Sequence, residues 1–220
     1  MFAYPDQTDV SIGGHVVIDS TLTRTGYGFM GPILDTASIR VTPVEDGFGA
    51  VNAFEESRYG VGSTARKMGY ALHGDGMLSR RTATNSGWGW VISGESPGFA
   101  PVKAMALISK TRTYDTFLAN TKGGALYTIH IPTNQPMKPV VKPVRTRTWQ
   151  GFEYLLAQKC GLHGTLLLGI DKDTQSAYLY AVGHANGTAT VIQSIGKVPG
   201  TFTDPVYFRF APLNDTHVGE

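Results

Sequence analysis

The chain has 220 residues, and its 19 basic and 17 acidic side chains give a formal net charge of +2, which provides no broad electrostatic surface for nucleic acid or an anionic membrane. Its 27 glycines, 12 prolines, ten tyrosines and ten phenylalanines, with only 16% charged residues, are typical of short strands and turns rather than long solvated helices. No apolar run is long enough to span a membrane, and the single cysteine, Cys160, excludes an internal disulfide.

The first predicted strands precede any recognisable repeat, and they cover 15–19, 27–30 and 38–41. Three phenylalanines then follow a glycine directly, and a fourth follows Gly-Thr; they are Phe48, Phe99, Phe152 and Phe202. They stand 51, 53 and 50 residues apart. A regular period of this length indicates a repeated supersecondary unit.

Each interval between these phenylalanines holds about four short strands separated by turn residues. The first interval contains predicted strands at 50–54, 67–72, 77–83 and 87–92. The second contains predicted strands at 104–109, 114–119, 125–131 and 138–144. The third contains predicted strands at 152–157, 165–170, 176–182 and 189–194. After Phe202 there is one more predicted strand, at 205–210.

This pattern predicts an all-β fold, a small β-propeller with four blades of four antiparallel strands. Three blades correspond to the repeats 48–98, 99–151 and 152–201. The fourth combines 202–220 with 1–47, because the C-terminal strand supplies the one strand that the three N-terminal strands lack. Pairing the N- and C-terminal strands in one sheet removes a free edge and closes the ring. We therefore expect residues 1–220 to form a single domain.

The third repeat resembles the blade of tachylectin-type propellers. In it Trp149-Gln150-Gly151-Phe152 precedes an apolar strand, and a hairpin containing Tyr178 follows. The hairpin that ends at Tyr127 in the second repeat is similar, and the resemblance extends loosely over 66–210. It implies a lectin, usually of five blades, that binds N-acetylated sugars at sites repeated between blades. Four-bladed hemopexin-like domains are the second comparison.

The aromatic side chains are the first candidates for ligand binding. Trp88 and Trp90 alternate with glycines, so both rings should leave the same face of one strand. Such rings either pack between blades or form a platform on which the apolar face of a sugar stacks. Trp149 has the same two alternatives. Tyr127 and Tyr178, in the hairpins that resemble lectin blades, are further candidate ligand contacts.

Small polar residues at the turns of successive repeats are the second group of candidates. Asp75, Asn120 and Asp171 occupy such places and could bind sugar hydroxyls, although turns favour Asp and Asn in any case. The segment 171–175 has oxygen ligands at alternate positions, as a calcium loop begins, but it lacks the glycine and the closing glutamate. No histidine pair has the spacing typical of zinc. We therefore expect no metal and no cofactor.

Two pairs of adjacent acidic residues, Glu45-Asp46 and Glu55-Glu56, could supply paired carboxylates. Neighbouring residues in a strand point to opposite faces, which disfavours a proton shared between them. We therefore expect both pairs on a solvated rim.

The first functional hypothesis is a non-catalytic, carbohydrate-binding, lectin-like propeller. The second is an enzyme that uses the propeller tunnel or one face as a small-molecule pocket, and the third is a platform for protein–protein interaction. Repeated polar sites would favour the lectin, whereas one asymmetric cluster of titratable groups with shifted pKa values would favour the enzyme. The expected partner is a carbohydrate or another small polar ligand, with no nucleic acid and no membrane. Residues 1–6 lack signal-peptide features, so we expect a protein that is cytoplasmic or secreted after removal of a leader.

Overall fold

The computed structural model of the protein describes residues 9–60, 65–84, 89–210 and 217–220. The strands within these ranges pair antiparallel with their neighbours in four sheets. In chain order they are β1 (Asp9–Ile18), β2 (Thr21–Met30), β3 (Ile33–Asp46), β4 (Val51–Tyr59), β5 (Arg66–His73), β6 (Leu78–Ala83), β7 (Trp90–Ser96), β8 (Val102–Lys110), β9 (Tyr114–Thr121), β10 (Leu126–Pro132), β11 (Val140–Arg145), β12 (Tyr154–Cys160), β13 (Gly164–Asp171), β14 (Ser176–Val182) and β15 (Ile192–Val198).

The four sheets are arranged as a four-bladed β-propeller. The first blade contains β1–β3, the second β4–β7, the third β8–β11 and the fourth β12–β15. Strand β8 lies beside both β4 and β12, so the first strand of each four-stranded blade is innermost. The predicted all-β, four-bladed propeller is confirmed. The strands of its second, third and fourth blades fall within the predicted repeats 48–98, 99–151 and 152–201.

The spacing of about 50 residues between the Gly-Phe pairs arises because the same turn occurs at each blade junction. There a backbone N–H donates to a carbonyl in a hairpin turn of the preceding blade, at 2.8 to 3.1 Å. The donors are Phe48, Phe99, Trp149 and Phe202, and the acceptors are Ser20, Gly76, Gly124 and Gln175. Gly47 and Gly98 precede the first two phenylalanines with φ of 94° and 103°, a conformation that favours glycine. The repeated Gly-Phe pair therefore turns the chain and places an aromatic ring between blades.

The hydrogen bond in the first blade identifies β1 as the equivalent of a second strand. In the second blade the acceptor, Gly76, lies between the second and third strands, whereas Ser20 lies between β1 and β2. Strand β1 also runs opposite to β4. His15 of β1 bonds to Glu56 near the end of β4, while Ser20, just after β1, bonds to Phe48, just before β4. The innermost place of the first blade is therefore not taken by β1.

Residues 201–210 lie in that innermost place without forming a strand. A Cβ on Gly14 of β1 would lie 2.8 Å from the Phe210 ring, so the segment passes directly against β1. Pro205 has no N–H to donate to a neighbouring strand, and its carbonyl accepts a hydrogen bond from Tyr154 Oη at 2.8 Å. The segment predicted to close the ring thus lies against an N-terminal strand. The strand predicted at 205–210 does not form, and among the described residues the sheet of the first blade contains only β1–β3.

Apolar side chains and one polar network hold neighbouring blades together. Separate buried clusters contain Phe48 and Trp90, Phe99 and Met105, and Trp149 and Phe152. Between the second and third blades, the buried carboxylate of Asp115 accepts hydrogen bonds from Arg66, Ser57 and Tyr70 at 2.6 to 2.7 Å. Such a network requires all its members, because a buried charge without partners is strongly unfavourable.

The last residues pack between the third and fourth blades. Gly219 donates its N–H to Ile108 of β8 at 3.0 Å and accepts a hydrogen bond from Ala185 at 2.6 Å. The carboxylate of Glu220 lies 2.6 Å from His130 Nδ1 of β10. These contacts fix the C-terminal residues to both blades.

Candidate functional site

A cavity of about 300 Å³ lies where the innermost segments of the blades meet. It is lined by residues at the starts of β4, β8 and β12, by the end of β1 and by 205–209. We call it the central channel. Among its polar lining residues are Asp19, Asn52, Glu55, Glu153 and Arg209. These groups come from different blades and from both ends of the chain, so the channel is complete only when the ring is closed.

Glu55 of β4 lies in the central channel. Its carboxylate accepts a hydrogen bond from the backbone N–H of Leu107 in β8 and is attracted by the charge of Arg209. Burial among the inner segments disfavours the ionised form more than these two groups favour it, and it raises the pKa of Glu55 to about 7. A carboxyl group with a pKa near neutrality can both donate and accept a proton at neutral pH.

Glu56, the next residue, bonds to groups at the junction of the first and second blades. Its carboxylate lies 2.9 Å from His15 Nδ1, 2.5 Å from Arg58 Nε and 3.4 Å from Lys67 Nζ. Burial opposes its ionisation, but the hydrogen bonds from His15 and Arg58 and the charges of Arg58 and Lys67 together lower the pKa of Glu56 to about 2.

The two adjacent carboxylates therefore differ in both partners and ionisation. Glu55 bonds across the channel, whereas Glu56 bonds between blades. This confirms the prediction that they point to opposite sides of the strand. The predicted solvated rim is wrong for this pair, because Glu56 is buried and Glu55 lines a cavity. The inner position of β4 takes both carboxylates away from the edge of the propeller.

Part of the channel wall is aromatic. The rings of Tyr154 and Tyr207 meet edge to face, with centroids 5.4 Å apart. Burial, and to a lesser degree the charges of Tyr207 and Glu153, raise the pKa of Tyr154. Next to them, Phe208 is 40% exposed. The channel thus combines apolar ring surface with carboxylate, amide and guanidinium groups, a combination that suits a small polar ligand.

The predicted tryptophan platforms are buried wherever the structure describes them. Trp149 is 5% exposed, and its ring packs 4.9 Å from that of Tyr180. Trp90 is 8% exposed and meets the His15 ring edge to face at 5.2 Å. Both rings pack against neighbouring side chains and do not form a sugar platform, since a buried ring presents no free face to a sugar. Trp88 lies outside the described residues.

The predicted polar turn residues lie in three different blades and are not brought together. Asn120 is fully buried, and its Nδ2 donates to the carbonyls of Trp149 and Phe152, both at 2.8 Å. It therefore fixes a blade junction. Asp75 and Asp171 each accept a hydrogen bond from a backbone N–H in their own turn, at 2.9 Å. Their side chains stabilise hairpin turns, as such residues commonly do.

The two predicted tyrosines also lie apart from each other. Tyr127 lines a cavity of about 300 Å³ on the third blade, whose lining carries no charged residue. The Tyr178 ring lies in the fourth blade, 6.2 Å from that of Phe152. Neither residue lines the central channel.

In 9–60, 65–84, 89–210 and 217–220, no group of three or more His, Cys, Asp or Glu residues could hold a metal ion. Over the same ranges, no helix is long and apolar enough to cross a membrane. The segment 171–175 lies in the hairpin between β13 and β14, where Gln175 has a φ of 52°.

Comparison with protein-family models finds no match to this sequence, and comparison with curated proteins finds none either. The protein is therefore described by its fold, a four-bladed β-propeller. The shape and the charged groups of the central channel support a proposal for its function.

Glu55 and Arg209 were not predicted from the sequence to form a site. The available signal was a charged residue directly after the apolar pair Ala53-Phe54 and another between two aromatic residues, in Phe208-Arg209-Phe210. The second segment was already predicted to close the ring. Charged residues in innermost strands face the axis or a blade junction, so these two could have been assigned to the channel once the ring was inferred.

Proposed function

We propose that the protein binds a small hydroxyl-rich molecule, such as a sugar, in its central channel. The observation that carries this proposal is the convergence of Glu55, Arg209 and the Tyr154–Tyr207 ring pair on one cavity of about 300 Å³. Carboxylate and guanidinium groups bind hydroxyls, and aromatic rings pack against the apolar face of a sugar. The cavity lies within the usual size range for small-molecule sites.

The resemblance of the third repeat to tachylectin-type blades supports a sugar as the ligand. The proposed position differs from the one that the resemblance implies, because these polar groups occur once around the ring rather than at each blade junction. We therefore expect one molecule bound per chain. An asymmetric site also agrees with the burial of Trp149 and Trp90, which leaves no repeated tryptophan platform in the part of the chain that the structure describes.

The test is calorimetric titration of the purified protein with a panel of neutral and N-acetylated mono- and disaccharides. The channel variants are Glu55→Gln and Asn52→Ala, and the matched control is Glu95→Gln on β7, where the side chain is exposed. We expect saturable one-to-one binding that both channel variants weaken by about tenfold, because each removes a polar contact. Equal affinity in all variants, or no binding across the panel, would contradict the proposal.

A second candidate function is acid–base catalysis on the bound molecule. It is favoured by one observation, the rise of the pKa of Glu55 to about 7 beside a cationic side chain. The test is turnover of a panel of aryl glycosides and aryl esters as a function of pH. Catalysis by Glu55 would give a rate that follows one ionisation near pH 7 and is lost in Glu55→Gln. Turnover that the Gln variant retains would contradict this candidate.

A further inference from the structure

A second cavity, of about 480 Å³, lies between the first and second blades. We call it the arginine cleft, after Arg24 of β2, Arg40 of β3 and Arg58 of β4, which line it. Its other lining residues are Ile12, Gly13, Thr25, Gly26, Tyr27, Gly28, Ser38 and Thr42. None of these described lining residues is acidic. The cleft is separate from the central channel, since the two cavities share no lining residue.

The floor of the arginine cleft is formed by glycines, which have no side chains to fill the cavity. Gly13, Gly26 and Arg40 stand opposite one another across β1, β2 and β3, so two of the three positions in this row carry no side chain. A Cβ on Gly26 would lie 2.9 Å from the Ile12 carbonyl oxygen, which explains the glycine there. In the next row Arg24 stands opposite Thr42. Guanidinium and hydroxyl groups therefore border a bare backbone surface.

The positive charges of Arg40 and Arg58 are only partly neutralised by the carboxylates that the structure describes. Arg40 Nη1 donates to the carbonyls of Ala37 and Ile39 at 2.6 and 2.9 Å, which orient the guanidinium and leave its charge in place. No ion pair recorded among the described residues includes Arg40. Arg58 shares the single carboxylate of Glu56 with two other basic side chains.

Lys67, next to the cleft, shares the carboxylate of Glu56 with Arg58. Burial lowers its pKa most, and the charges of Arg58 and Arg24 lower it further, against the opposing attraction of Glu56. An anion entering the cleft would meet the guanidinium groups of Arg40 and Arg58, and no lining side chain that the structure describes carries a carboxylate.

We propose that the arginine cleft binds an oxyanion, the phosphate or sulfate group of a small molecule. Arginine is suited to both groups, because its planar guanidinium can donate two parallel hydrogen bonds to their oxygens. The Thr42 hydroxyl can add a neutral donor from the same face. A cavity of about 480 Å³ leaves room for the molecule that carries the anion.

The test is calorimetric titration at low ionic strength with inorganic phosphate, inorganic sulfate, glucose 6-phosphate, glucose 6-sulfate and glucose. We expect one anion per chain and no effect of glucose at this site. Phosphate and sulfate separate the two anions, and their sugar esters show whether the attached molecule adds affinity. The variants Arg24→Met and Arg40→Met should each weaken binding by about tenfold or more, because each removes charged hydrogen-bond donors. Arg112→Met, an exposed arginine on the third blade, is the control.

A second pair of variants keeps the cleft intact and changes only its charge. Thr42 is exposed, so both Thr42→Glu and Thr42→Gln should fold. We expect Glu at this position to abolish phosphate binding by repulsion and Gln to retain it. The proposal is overturned if neither anion binds, if Arg112→Met weakens binding as much as Arg40→Met, or if Thr42→Glu binds phosphate like Thr42→Gln. A channel ligand would still bind to the arginine variants, so this test is independent of the proposed function.

Discussion

Replacement of Glu55 by glutamine should stabilise the fold at alkaline pH. In the wild-type protein the Glu55 carboxyl group either ionises inside the central channel, where burial disfavours the charge, or keeps its proton at a pH at which it would ionise in the unfolded chain. Both states lower the stability of the folded protein above neutrality. Glutamine has nearly the same shape, keeps an oxygen that can accept the Leu107 N–H, and does not ionise. The variant therefore removes an unfavourable ionisation and retains the packing.

The magnitude follows from the rise of the pKa of Glu55 from its ordinary value of 4.5 to about 7. Below pH 4.5 the group is protonated in both the folded and the unfolded chain, so ionisation makes no difference to stability. Between pH 4.5 and 7 the unfolded chain loses the proton first, and wild-type stability falls. Above pH 7 the loss is complete, and at about 1.4 kcal/mol for each pH unit it reaches about 3 kcal/mol.

The assay is urea unfolding of the wild type and Glu55→Gln at several pH values between 4 and 9. We expect the difference in unfolding free energy to favour the variant increasingly up to about pH 7 and then to level off. The exposed Glu95→Gln control should show no such rise. A Glu55→Gln difference that stays constant with pH would refute the assignment of a raised pKa to this carboxyl group.

Three further substitutions test the contacts around the site. Glu56→Gln should lower the free energy of unfolding by about 3 kcal/mol at pH 7, because the pKa of Glu56 is lowered in the folded state. Urea unfolding at decreasing pH should show this loss vanish as the pH falls from 4.5 towards 2. Asp115→Asn should cost about 3–5 kcal/mol in urea unfolding, since it leaves Arg66 without its buried carboxylate; an effect below about 1 kcal/mol would contradict that network. Trp149→Ala should cost about 3–5 kcal/mol through lost packing while leaving the affinity of the channel unchanged in calorimetry; loss of sugar binding in folded Trp149→Phe would instead favour a site at that ring.

The blades could be predicted from the sequence because each four-stranded blade is local. The Gly-Phe period and the turn residues fixed where β4–β7, β8–β11 and β12–β15 begin and end to within a few residues. The missing inner strand of the first blade could also be inferred, because one strand remained at the C-terminal end and three preceded the first repeat. That this segment forms no strand was not predicted; Pro205 within it lacks an N–H, and its carbonyl accepts a hydrogen bond from Tyr154 of the fourth blade.

The candidate site was harder to predict because it depends on distant residues meeting at the axis. Trp149 and Asn120 were predicted as ligand contacts because they are aromatic and polar residues near repeated turns. In the structure both are buried at a blade junction. Glu55 appeared as one member of an ordinary acidic pair. Its properties arise from Leu107 and Arg209, which come from a different blade and from the closing segment.

The place of residues 201–210 has a consequence for how the protein is made. The second, third and fourth blades are each continuous in sequence and can form as the chain leaves the ribosome, because their contacts are local. Strands β1–β3 precede the other described strands along the chain, yet the inner edge of β1 is covered only after residues 201–210 have been added. A chain interrupted before Pro205 would lack the segment that covers one side of the central channel, so Glu55 would be less buried and its pKa would lie closer to the ordinary value of 4.5. The raised pKa of Glu55 therefore depends on a segment about 150 residues away in the sequence.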